Sequence, residues 1–100
     1  MRYIVTLLLL FTLQLQAVAQ DINQQWARHM NIGKTEYSVE NYGAALKHFK
    51  EAARIIPTDT LAYQYIIDCA YKVHNPAPQL DAYNKLIPLH AASAKNYNNA

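Results

Sequence analysis

The chain has 100 residues, a formal charge of +2, one cysteine and only two glycines. One cysteine excludes an intrachain disulfide framework and a thiolate metal cluster, and two glycines leave no Gly-rich loop to cradle phosphate. The few charges form no block of one sign, which argues against nucleic acid and anionic membrane surfaces as partners.

The first predicted element is a targeting segment. In "MRYIVTLLLLFTLQLQAVAQ" Arg2 supplies a positive start, Ile4 to Leu13 is almost wholly apolar, and Ala17 and Ala19 occupy the −3 and −1 positions of a cleavage site. The apolar run is shorter than the roughly 20 residues a membrane span needs. Residues 1–19 therefore read as a cleavable signal peptide, cut after Ala19, and the protein as secreted or periplasmic; a retained signal anchor is the alternative. Removal of Arg2 leaves eight basic and seven acidic side chains, a charge of +1, in a mature part that runs from Gln20 to Ala100. That is one small domain, 20–95, with a tail at 96–100 that forms no element by itself.

Asp21 to Glu40 reads as a first helix, with Ile22, Trp26, Met30, Gly33 and Tyr37 in one stripe and Asp21 as its cap, helped by Gln24. Gly33 weakens a helix by about 1 kcal/mol against alanine, so it suggests close approach by a neighbouring helix. Asn41 is the expected N-cap of a second helix over 42–56, its amide oxygen accepting a first-turn N–H. Tyr42, Ala45, Leu46, Phe49, Ala52, Ala53 and Ile56 form its apolar stripe, while Lys47, His48, Lys50, Glu51 and Arg54 face water. Pro57 stops it.

Thr58 or Asp59 caps a third helix from Thr60 to about Val73, with Leu61, Ala62, Tyr65, Ile66, Cys69, Ala70 and Val73 as its apolar positions. Cys69 falls in that stripe and reads as a small buried core residue; an intermolecular disulfide is the alternative. "HNPAPQ" is an expected loop, and Pro78 the first residue of a fourth helix. That helix presents Leu80, Tyr83, Leu86 and Ile87, then either ends at Pro88 or kinks there and continues to Lys95. Short connections set successive helices side by side and antiparallel. The fold class is all-α, two stacked antiparallel helical hairpins.

Two helices of about fifteen residues, a tight joint and a closing proline resemble one tetratricopeptide repeat, a unit of 34 residues. Ile32, Gly33, Ala45, Phe49, Ala52 and Pro57 agree with the family pattern in one register over residues 26–59. His29 and Glu36 stand where the family has aromatic residues. A shift of 34 sets Tyr37 on Tyr71, Ile32 on Ile66 and His29 on Tyr63. The second helix of that copy fits after an insertion of about three residues at "NPAP", which sets Ala82 and Leu86 on the small and aromatic positions.

The resemblance implies a short α-solenoid that binds a protein or peptide segment in a groove lined by the first helix of each repeat. By position the groove residues are Met30, Lys34, Tyr37 and Ser38, beside Gln64, Asp68, Tyr71 and Lys72. Tyr37 and Tyr71 would stack one repeat apart, as aromatic anchors or as seals of the joint between repeats. No cofactor is implied. The histidines have no metal-ligand spacing, and Ser38, Ser93 and Cys69 have no base at a motif spacing, so no enzyme is expected. Stable arrays normally need about three repeats. A partner or a second copy covers the last helix, or the chain is the front part of a longer array. A small oligomerising structural protein is the alternative function.

Overall fold

The computed structural model describes residues 2–98, apart from the side chains of residues 13, 15, 17 and 94–98. Four helices follow one another, α1 (Arg2–Ser38), α2 (Tyr42–Ile55), α3 (Thr60–Lys72) and α4 (Pro76–Asn98), with no strand among the described residues. Each packs mainly against the next in sequence, so α1–α2 and α3–α4 form two antiparallel hairpins stacked in chain order.

α2 is the helix the others share. Its Ala45, Leu46, Phe49, Ala52 and Ala53 are all buried, on the stripe read from the sequence. Phe49 is fully enclosed, and its ring stacks on Tyr65 of α3 at a centroid distance of 4.4 Å and an angle of 8°. The other face of the ring lies against Gly33 of α1. A Cβ there would meet three Phe49 ring carbons at 2.7–2.9 Å. The close approach expected from Gly33 is thus present, and only a residue without a side chain permits it. Around this ring the interfaces are lined by small residues (Ala45, Ala52, Ala62, Cys69 and Ala82), which let the helices lie close together.

The inter-helix turns repeat. Asn41 N–H donates to the Glu36 carbonyl and Glu40 N–H to that of Tyr37; 34 residues later Asn75 and His74 bond Ala70 and Tyr71 in the same way. Both are Schellman ends, with Glu40 (φ 62°) and His74 (φ 56°) in the left-handed position. α3 starts at Asp59, one of the two expected caps, whose Oδ1 accepts from Leu61 N–H at 3.2 Å. Its Oδ2 accepts from Trp26 Nε1 at 3.0 Å, which ties α1 to the turn before α3.

Several expectations are corrected. α1 does not begin at Asp21, because nothing from Arg2 to Gln20 breaks a helix. Asp21 sits inside it and accepts from Gln25. Tyr3, Ile4, Val5, Leu7 to Leu10 and Phe11 are 54–84% exposed, since this overhang has no helix opposite. Ile22 is also largely exposed, because the contact with α2 begins near Trp26. α1 ends at Ser38, before Glu40 turns left-handed. Asn41 holds the N-cap position of α2 without a side-chain cap, its Nδ2 donating instead to Glu36 Oε2 at 2.8 Å.

"HNPAPQ" is a loop only up to Asn75. Pro76 is the first residue of α4, and Pro78 lies in the same first turn, where no N–H has an intrahelical partner to lose. The helix runs through Pro88 to Asn98, past the expected end at 95; Asn84, whose carbonyl loses its partner at Pro88, is itself exposed. Residues 99 and 100 of the expected tail lie outside the described residues. The packed face of α4 is Ala82, Leu86 and Leu89, and Leu80, Tyr83 and Ile87 stand in solvent. Leu61 and Val73, at the edges of the α3 stripe, are also exposed, and Tyr63 is buried, its hydroxyl donating to the Pro57 carbonyl at 2.7 Å.

The two glycines give opposite outcomes for one substitution. Gly33→Ala forces the enclosed Phe49 ring to shift and should lower stability by about 1–3 kcal/mol, as overpacking does. Gly43, in the first turn of α2, has nothing within 4 Å of an added Cβ. Gly43→Ala should therefore stabilise by about 0.5–1 kcal/mol. Urea unfolding of the two variants measures both.

Candidate functional site

α1 and α3 lie on the same side of the stack, and the last turn of α1 meets the middle and C-terminal part of α3 in one aromatic cluster. Tyr37 of α1 meets Tyr42 of α2 and Tyr65 of α3 edge-on, at 5.3 and 5.5 Å between ring centroids. Its hydroxyl donates a hydrogen bond to Asp68 Oδ2 of α3. Lys72, one turn on, places its ammonium 4.7 Å above the Tyr42 ring and 5.9 Å above the Tyr37 ring, and donates to the Tyr42 hydroxyl at 3.4 Å. A cation over two electron-rich ring faces is electrostatically favoured. Tyr37, Leu61, Gln64, Tyr65 and Asp68 line an open depression of about 270 Å³.

Of the groove residues expected from sequence, Tyr37, Asp68 and Lys72 come together, and Gln64 lines the same depression. Lys34 and Ser38 are exposed, the Ser38 hydroxyl donating to the Thr35 carbonyl. Met30 is not in the groove. It is 2% exposed and packs in the core, because it falls on the side of α1 that faces α2. Tyr71 stands 68% exposed, and the rings on Tyr37 are Tyr42 and Tyr65, one from the next helix and one from α3.

Other side chains missing from the sequence-derived set matter here. Tyr42 and Tyr65 fall in apolar stripes, where their half-exposed hydroxyl ends give no further signal. His48, expected to face water, is half-buried and pairs with His29 of α1. Only its position one residue before a core phenylalanine hints at this. A second depression, about 350 Å³, lies between α2, α3 and α4; two cations on its rim, Arg54 and Lys85, are held by Glu51 and Asp81.

Tyr37 and Cys69 titrate abnormally for visible reasons. Tyr37 is pushed up to about 12, first by donating to Asp68 and then by burial and the carboxylate's charge. Cys69, fully enclosed as expected, is pushed up to about 11, first by burial and then by Asp68. It stays a protonated thiol, shielded from another chain, so the intermolecular disulfide has no accessible sulfur in this fold. Among the described residues no three His, Cys, Asp or Glu side chains gather as a metal set, and no helix is long and apolar enough to cross a membrane. No family model matches the chain, nor does any curated protein or solved structure.

Both raised groups are protonated in the fold and ionise more readily when unfolded. Their stabilisation is therefore complete below about pH 9 for Cys69 and pH 10 for Tyr37, and is lost as pH rises through about 11 and 12. Chemical denaturation followed from pH 8 to 12 should show stability falling across this window. Tyr37→Phe should remove the upper part of the fall, and Cys69→Ala the lower part.

Proposed function

We propose that this chain is an exported helical-repeat module that binds a protein or peptide segment between α1 and α3, in a scaffolding role and without catalysis. The observation that carries this reading is the aromatic depression itself. Leu61, Tyr65 and Tyr37 offer apolar surface, Gln64 and Asp68 offer hydrogen-bonding groups, and the whole is open to solvent. Such a mixture suits an extended or helical segment, because burial and orientation come from the same few side chains. The repeated turn geometry at Glu40 and His74 supports the resemblance to a tetratricopeptide array.

Export is supported by the uncovered apolar overhang of α1. None of the side chains described between residues 2 and 19 belongs to the core, so their removal after Ala19 would leave the described core in place. Secreted or periplasmic location follows on that reading. The segment-binding surface is tested by pull-down from an envelope extract, followed by fluorescence anisotropy with the peptide recovered. Leu61→Glu and Gln64→Glu should weaken capture at least tenfold with unchanged helicity, while Lys47→Glu on the far side of α2 should leave it intact. Equal capture by all three variants would remove this face from the reading.

A second reading, self-association as a small structural protein, is favoured by one observation. Leu80 and Ile87 of α4 are 63% and 62% exposed, with Tyr83 between them, and no helix among the described residues packs on this row. Sedimentation equilibrium separates the two. If α4 joins copies, the unaltered chain should sediment as a dimer or larger, and Leu80→Glu with Ile87→Glu should convert it to monomer. A monomer throughout leaves the groove as the working surface.

A further inference from the structure

We infer that His29 and His48 form a two-histidine site for a divalent transition-metal ion, bridging α1 and α2. The two Nδ1 atoms lie 3.2 Å apart, with ring centroids at 5.4 Å and an angle of 32° between the planes. Two bare ring nitrogens repel at that distance, so the neutral pair holds one hydrogen between them. A metal ion can take that place. Imidazole nitrogens bind zinc at about 2.0–2.1 Å, so two such bonds spanning this gap meet at the metal at about 103°. That lies between the right angle of a square-planar ion and the tetrahedral angle. Borderline ions that favour imidazole, namely Zn²⁺, Ni²⁺ and Cu²⁺, therefore fit the pair.

The spacing is held by the core. His29 precedes Met30 and His48 precedes Phe49, both buried at the α1–α2 joint, so neither backbone is free to drift. Binding requires only that the rings turn to aim both lone pairs at one point. The shared hydrogen moves to Nε2 of its own ring, so a neutral pair releases no net proton. Glu51 lies one turn from His48, but its Oε1 is taken by Arg54. No third His, Cys, Asp or Glu among the described residues is grouped there, so water completes the coordination, and the site is open and exchangeable. A bound ion would clamp the first hairpin and stabilise the fold by mass action.

The test uses the full chain without a histidine tag, titrated separately with Zn²⁺ and Ni²⁺. Calorimetry should give one ion per chain, and Zn²⁺ should raise the melting temperature. Zn²⁺ should perturb the imidazole NMR signals of two of the four histidines. Affinity should fall at least tenfold in His29→Gln and in His48→Gln, and be unchanged in His74→Gln and His90→Gln. Helicity of each variant is checked by circular dichroism. The imidazole signals of the unaltered chain report on the site without any substitution. Perturbation of His74 or His90 in place of the pair, undiminished binding in His48→Gln, or no saturable binding at millimolar metal would overturn the site.

Discussion

The Phe49 ring is gripped on both faces, by the bare backbone of Gly33 and by the parallel ring of Tyr65, and the rest of the fold is arranged around that grip. One side chain thereby fixes the distance from α2 to α1 and from α2 to α3. Small core residues, Ala45, Ala52, Ala62 and Cys69, let the helices close in around it. The fully enclosed Cys69 suits the same demand on α3, where a longer side chain would press the helices apart. The histidine pair and the tyrosine cluster both lie beside this joint, which explains how polar groups on different helices hold defined separations.

A repeat of 34 residues is present in the backbone more clearly than in the side chains. Glu40 and His74 take the same left-handed conformation, close the same pair of hydrogen bonds, and are followed by helices that begin at Tyr42 and Pro76, again 34 apart. The buried faces of those helices are offset further. Ala45, Phe49 and Ala52 correspond to Ala82, Leu86 and Leu89, a displacement of 37. The three extra residues at "NPAP" are thus not a longer loop. They make an additional helical turn, and because three residues are close to one turn, the inward face stays inward.

The parts of the fold legible in the sequence are those governed by local rules. α2 is bounded by Asn41 and Pro57 and carries an unbroken apolar stripe, so its limits and its core residues follow from periodicity. α4 defeats the same reasoning because Leu80, Tyr83 and Ile87 are more hydrophobic than Ala82, yet alanine is what close packing on α3 requires. Hydrophobicity ranks transfer from water, not fit to a neighbouring helix, and the two criteria diverge where a helix is covered on one side only. The aligned repeat positions, which encode size as well as polarity, select Ala82 and Leu86. In the candidate site, Asp68 and Lys72 are reached only through the groove positions that the resemblance to a tetratricopeptide repeat implies. Tyr42 and Tyr65 are hidden because an amphipathic ring at the edge of a stripe reads as core. The His29–His48 contact crosses two helices, and nothing in a single helical period reports such a pair.

The same geometry shapes what the groove between α1 and α3 can offer a segment. Tyr37 has turned its hydroxyl inward to Asp68 Oδ2 and supports Tyr65 with its ring, so it is part of the wall and not a free anchor. On the proposed reading, the groups that would meet a segment are the outward ones, Gln64, Leu61 and Asp68. A carboxylate already bonded to a tyrosine and near an ammonium has lost part of its hydration before a ligand arrives, so an incoming N–H displaces less water to reach it. The preformed Tyr37–Asp68 bond also ties the last turn of α1 to α3. On the proposed reading, less ordering would remain to be done when a segment binds, so few contacts would suffice.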